Sequence, residues 1–131
     1  MNDDPEVINM STVMEAQDVM GEERFASLVE YFLKDSETYI SEIEASLEEE
    51  NIKGIIAPAH TIKSSAKQLG AERVSLVAEQ IEEKCRNFLE KSEVETTKAE
   101  IITESNIMCE ELRSELEAAA EELTEICQQG F

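Results

Sequence analysis

Apolar residues in this chain recur at steps of three and four over long stretches, and that spacing restricts the fold more than any other feature. Phe25, Leu28, Val29, Phe32, Leu33, Tyr39, Ile40, Ile43 and Leu47 form one series, and Val94, Ile101, Ser105, Met108, Cys109, Leu112, Leu116, Ala119, Leu123 and Ile126 form another. At about 100° per residue, each series lies along one face of a helix. Two shorter series stand between them: Ile55, Ile56, Ala59, Ile62, Ala66 and Leu69, then Val74, Val77, Ala78, Ile81, Cys85 and Phe88. Two prolines and four glycines among 131 residues leave the helices few interruptions. Four amphipathic helices joined by short turns bury their stripes mutually, so the expected fold is all-α, an antiparallel four-helix bundle.

A short additional N-terminal helix is expected before the bundle. Ser11 or Thr12 caps it, Gly21 ends it after Met20, and Val13, Met14 and Met20 cover one end of the bundle. Residues 1–10 read as a loose lead-in and 11–131 as the bundle domain. Glu22 and Glu23 open the long second helix at its positive end, and Asn51 caps the third. Pro58 falls inside the third helix, where a kink or a loosened first turn is expected, tolerated because Gly54, four residues back, has no side chain to clash. Gly70 closes that helix, and the last one stops near Gly130.

The net charge of −20 disfavours nucleic acid and anionic membrane surfaces as partners. It is unevenly spread. Residues 1–50 carry 15 acidic and 2 basic side chains, and residues 92–131 carry 11 and 2, whereas residues 51–91 carry 5 and 7. A near-neutral middle in an acidic protein would draw in an anionic group. Many of the remaining carboxylates, such as Glu48, Glu49 and Glu50, simply solvate helix faces. The start is acidic and unlike a signal peptide, and no apolar run approaches the ~18 residues of a membrane span. Cys85, Cys109 and Cys127 lie far apart without a C-x-x-C, and one histidine cannot complete a zinc site. They read as reduced thiols in a cytoplasmic monomer with no metal.

That single histidine, His60, sits on the third helix but off its apolar stripe. His60, Lys63, Ser64 and Lys67 share one face, at offsets of zero, three, four and seven. An imidazole titrates near 6.5, so at neutral pH it is mostly an uncharged nucleophile. Two ammonium groups on the same face would stabilise a dianionic group placed on the ring. No G-x-S-x-G, Gly-rich phosphate loop or H-E-x-x-H is present. On its own, a helical histidine is more often a surface residue than a functional one.

The surrounding stretch resembles the signature of histidine-containing phosphotransfer (HPt) domains: His, any residue, an apolar residue, Lys, a small residue, then Gly ten positions after the His. Here those places are His60, Ile62, Lys63, Ser64 and Gly70. The resemblance is close over residues 8 to 90; the remainder matches only as a long amphipathic helix. Ser64 stands where the family usually has Gly.

The resemblance implies a phosphorelay intermediate without ATP-binding or kinase activity. His60 would accept a phosphoryl group from a receiver-domain phospho-aspartate and pass it to another receiver. The partners would be receiver domains of response regulators or hybrid sensor kinases, which would bring the Mg²⁺; the chain itself would need no cofactor. Lys63 and Lys67 are expected to stabilise the phosphoryl group, and Ser64, Gln68 and Gly70 to lie in the docking surface. Glu82 is expected to orient the His60 ring. His60 is ten residues before Gly70 and Glu82 twelve after it, so antiparallel packing sets them at similar heights. The resemblance adds that a Glu or Gln in this region commonly bonds the ring. Two other readings stay open on the residues alone: an acidic helical-bundle adaptor that binds a partner and never carries phosphate, and a metal or redox bundle, disfavoured because no Glu-x-x-His recurs.

Overall fold

The described residues form five helices: α1 (Met10–Met20), α2 (Glu22–Glu48), α3 (Lys53–Gln68), α4 (Glu72–Glu90) and α5 (Lys98–Gln129). The structure is a computed structural model that describes residues 5–90 and 97–129. Helix α2 packs on α3, α3 on α4, α4 on α5 and α5 back on α2, which closes an antiparallel four-helix bundle, while α1 leans on α2. The stripes read from the sequence face its interior. Phe25, Ile40 and Ile43 of α2, Ile55 and Ile62 of α3, Ile81 of α4 and Leu112 and Leu123 of α5 are at most 1% exposed. Ser36 and Ser105 are buried as well, Ser36 at a place where the apolar series of α2 skips a turn. Val94 and Gly130 lie outside the described residues.

Helix α5 has 32 residues and so runs about 48 Å. Both it and its neighbour α2 are strongly acidic, and Arg113 clasps them together. Its Nε and Nη2 donate to the two Glu44 oxygens at 2.9 and 2.7 Å, and Nη1 donates to Glu37 at 3.0 Å. This fork-on-carboxylate geometry offsets part of the repulsion between the two helices.

The N-terminal segment departs from the expected loose lead-in. Asn9, not Ser11 or Thr12, caps α1: its side-chain oxygen accepts from the Ser11 and Thr12 backbone N–H groups. Ile8 is buried, and the Pro5 carbonyl accepts from Arg73 Nε at 2.8 Å. Val13 is buried as expected, but Met14 is 60% exposed because α1 offers only a narrow face to the bundle.

Helix α3 runs unbroken through Pro58, which is itself buried. Gly54 has a reason of its own: a Cβ there would come within 2.7 Å of Asn51 Nδ2 and Ser46 Oγ. Its absence lets the α2–α3 turn close, with Asn51 Oδ1 accepting from the Gly54 N–H.

At the other end of α3, Ala71 N–H bonds the Ala66 carbonyl and Gly70 N–H the Lys67 carbonyl, a Schellman closure with Gly70 at φ +78°. Asn9 N–H donates to the Gly70 carbonyl at 2.7 Å, and a Cβ on residue 70 would stand 2.8 Å from the Asn9 carbonyl oxygen. Gly70→Ala should therefore destabilise the protein by about 1–2 kcal/mol from the left-handed backbone alone, plus the cost of displacing the 5–9 segment. A shift in the denaturation midpoint checks this; a midpoint equal to wild type would mean the segment yields freely.

Candidate functional site

The site grows out of the α3–α4 pairing. Ala59 and Ala66 on α3 and Ala78 on α4 are all fully buried. Small side chains of this kind let two helix axes come close. Ser75 Oγ on α4 donates to the Lys63 carbonyl on α3 at 3.0 Å and pins the relative height of the two helices. In that register His60 and Glu82, 22 residues apart, meet: His60 Nδ1 stands 3.0 Å from Glu82 Oε2.

The two side chains differ sharply in environment. The His60 side chain is 53% exposed and that of Glu82 only 5%. Glu82 is therefore a buried carboxylate at the rim of the core, and its partners are all cationic or hydrogen-bond donors. Lys63 Nζ lies 2.9 Å from Oε1, and Arg86 Nε donates to Oε2 at 2.9 Å. The Lys63 contact is an ion pair at contact distance rather than an aligned hydrogen bond, so Oε1 gains charge compensation without a directional donor. Burial pushes the Glu82 carboxyl up, but the contacts from Lys63, Arg86 and His60 outweigh it and hold the group below its ordinary value. Glu82 is thus ionised at neutral pH.

An ionised carboxylate only accepts hydrogen bonds, so the proton in the contact belongs to His60 Nδ1. In the neutral ring, the lone pair then lies on the other nitrogen, Nε2. Nδ1 faces the buried carboxylate, so the exposed part of the ring is the edge that bears Nε2. The arrangement favours the Nδ1–H tautomer and turns the Nε2 edge of the ring toward solvent.

The remaining expected residues fall into two groups. Ser64, Lys67 and Gln68 are exposed on α3 along the strip that carries His60. Lys67 joins no ion pair among the described residues, whereas Lys63 is held by Glu82. Gln68 and Ser65 line a cleft of about 90 Å³ between α2 and α3, together with Tyr31, Asp35 and Tyr39. Gly70 does not belong to this surface. It is buried under Asn9 and Thr12 at the end of α3, so its part is to close the helix and seat the N-terminal segment.

Arg86 is the site residue that sequence reasoning missed. The signal was present, because Glu82 and Arg86 are four apart on one helix, the spacing of a helical ion pair. Helix α3 contributes Lys53, Lys63 and Lys67 and no acidic residue, so the strip around His60 is cationic while α2 and α5 are acidic. Among the described residues, no group of three or more His, Cys, Asp or Glu is placed to hold a metal ion, and no helix is long and apolar enough to cross a membrane.

Comparison with known proteins bears on this site. Residues 27–129 match the family model of the Hpt domain. The phosphorelay intermediate protein rdeA of Dictyostelium discoideum is 35% identical over 75 residues, which cover 56% of this chain and 30% of that protein. The match thus spans under a third of the curated relative's length. The crystal structure of histidine-containing phosphotransfer protein B (HptB) from Pseudomonas aeruginosa PAO1 superposes with a TM-score of 0.80 over 96% of this chain and 98% of that one. Its sequence identity is 17%, so that likeness is one of fold.

Proposed function

This chain belongs to the Hpt domain family and has a phosphotransfer role, and from that premise we propose that His60 is the phosphoryl acceptor and donor of a relay between receiver domains. The observation that carries the proposal is the Nδ1–Glu82 contact, which leaves Nε2 unprotonated and outward on a cationic strip. The Nε2 lone pair attacks the phosphorus of an aspartyl phosphate. The N–P bond forms, the P–O bond to the aspartyl carboxyl breaks, and the carboxylate leaves with its electron pair.

No proton has to move in this step. Nδ1 keeps its proton, the ring becomes cationic, and Glu82 lies 3.0 Å away to balance that charge. The same proton makes the ring a neutral leaving group when a second receiver takes the phosphoryl group away. One fixed tautomer therefore serves both directions. Phosphoryl transfer demands chiefly positioning and charge neutralisation, and a rigid bundle with a cationic strip supplies its share of both. The chain acts as a phosphocarrier and not as a kinase. Mg²⁺ and the catalytic carboxylates belong to the receiver, and this chain contributes no cofactor site of its own.

Lys63 and Lys67 serve the phosphoryl group differently. Lys67, exposed and without an ion pair among the described residues, adds long-range field. Lys63 acts beside the ring while bound to Glu82. The docking surface centres on His60, Ser64 and Gln68, with the α2 residues Tyr31 and Asp35 across the cleft.

The test is to mix the chain with receiver domains carrying a labelled phospho-aspartate and to look for acid-labile, base-stable label on it. A following chase into an unlabelled receiver should remove the label; no label at all would end the relay reading. Glu82→Ala should slow acceptance by roughly three- to tenfold without abolishing it, because the tautomer is no longer held while the nucleophile remains. An unchanged rate in that variant would take Glu82 out of the transfer step.

A further inference from the structure

Helix α2 turns one row of side chains toward α3 beside the His60 strip. Tyr31, Asp35 and Tyr39 follow one another at four-residue steps, so a carboxylate stands between two aromatic rings, one turn to either side. All three line the cleft of about 90 Å³ between the two helices. The chain has two tyrosines, and both are here. We propose, building on the reading of His60 as phosphoryl acceptor, that this cleft is a specificity subsite for one cationic side chain of the receiver, a lysine or an arginine, and that Asp35 selects it.

Three observations point to a cation. The first is an unused charge. Asp35 is exposed and joins no ion pair or hydrogen bond among the described residues. No other charged residue lines the cleft among the described residues; Lys34 and Lys67 adjoin lining residues in the chain but do not line it themselves.

The second is the pair of rings. Tyr31 is 65% exposed, an aromatic side chain left outside the core. Aromatic faces attract an ammonium or a guanidinium, which adds to the Coulomb attraction of Asp35.

The third is the make-up of the walls. Phe32 and Ile62 are buried and give the cleft an apolar inner side. An apolar wall under a charged rim suits a side chain with an aliphatic stem and a cationic head. Ser65 and Gln68, across from α2, supply oxygens for the N–H groups that Asp35 does not take.

The position of the cleft lets it orient a partner. Ser65 and Gln68 stand five and eight residues beyond His60 on α3, about 8–12 Å along the helix axis. Lys63 leans the other way, onto Glu82 of α4. A receiver centred on Nε2 therefore meets cations on one side and a carboxylate on the other, and one orientation matches both charges. A receiver without the cation leaves Asp35 covered and unpaired, which lowers its affinity.

The probe is a receiver domain whose labelled phospho-aspartate labels the wild-type chain. Asp35→Asn should raise the receiver concentration for half-maximal transfer by about fivefold at low salt, and added salt should shrink that loss. The rate at saturation should change far less, because Asp35 touches no reacting atom. Asp35→Glu should restore part of the loss. Tyr31→Leu keeps an apolar wall but removes the ring, and should cost about threefold. Asp35→Lys should be rescued by one of a set of single Lys→Glu and Arg→Glu replacements on the docking face of the receiver. Asp35 and Tyr31 are exposed, so these changes leave the core intact. Each variant's transfer is expressed relative to its loading by phosphoramidate, a small N-phosphoryl donor that needs no docking: its P–N bond breaks, the Nε2–P bond forms, and ammonia departs with the electron pair. Half-saturation of Asp35→Asn equal to wild type at low salt, a loss that salt does not diminish, or an Asp35→Lys chain that no receiver replacement rescues overturns this inference and leaves the acceptor reading intact. A wild-type chain that takes no phosphoryl group on His60 from either phosphoramidate or a receiver overturns both.

Discussion

His60→Gln is expected to bring phosphoryl acceptance down to background while leaving the bundle folded. Glutamine keeps a polar group of similar reach, which can still meet Glu82, but it has no nucleophilic lone pair to form an N–P bond. His60 is the only histidine among 131 residues, so no neighbouring imidazole can substitute. Because the ring is 53% exposed, its loss leaves no cavity, and Glu82 keeps its ion pairs with Lys63 and Arg86. Stability should change by less than about 1 kcal/mol, the usual range for a surface replacement. The measurement is acid-labile label on the variant beside wild type, with helicity and melting temperature recorded on the same samples. Label retained at the wild-type level would place the acceptor elsewhere.

Ser64→Trp should reduce transfer from a receiver by about a hundredfold or more. Residue 64 lies one turn beyond His60 on the same exposed strip, so an indole there projects into the space that a receiver must occupy. In-line transfer needs the reacting atoms at about 3–3.5 Å, and a misplacement of about 1 Å costs on the order of a hundredfold. The position is exposed, so the bulky ring meets solvent rather than core and the fold should survive. Glu110→Trp on α5, the helix diagonally across the bundle from α3, is the matched control and should transfer at the wild-type rate. Loading by phosphoramidate separates the two possible causes. A small donor should still reach Nε2 in Ser64→Trp, so a variant that loads chemically but refuses a receiver has lost docking alone. Receiver transfer at the wild-type rate would put the docking surface on another face.

Helix packing also decides the surroundings of Lys63 and Gly70. Lys63 is expected to stabilise the phosphoryl group, and the structure adds that its ammonium lies 2.9 Å from Glu82 Oε1. A lysine stem is long enough to choose between two partners within reach, and spacing along a helix says nothing about which partner the neighbouring helix brings. Gly70 is expected in the docking surface. It is covered because residues 5–9 fold back across the α3–α4 turn, a contact between segments more than 60 positions apart.

What the sequence determined by itself is whatever one helix settles alone. Periodicity over 25–47, 55–69, 74–88 and 101–126 reads out four apolar stripes, because side-chain direction follows from 100° per residue whatever the surroundings. The same rule sets His60 off its stripe, and the capping chemistry of Gly21, Asn51 and Gly70 marks the helix ends. Counting from Gly70 was enough to level His60 with Glu82, since two antiparallel helices that share a tight turn rise at the same rate per residue. Only the tertiary structure decided which edge of α4 meets α3. That choice depends on how closely Ala59, Ala66 and Ala78 let the helices approach and on the Ser75 hydroxyl that locks their height. It buries Glu82, gathers Lys63 and Arg86 around that carboxylate, and thereby sets Nδ1 of His60 against it with the Nε2 edge outward.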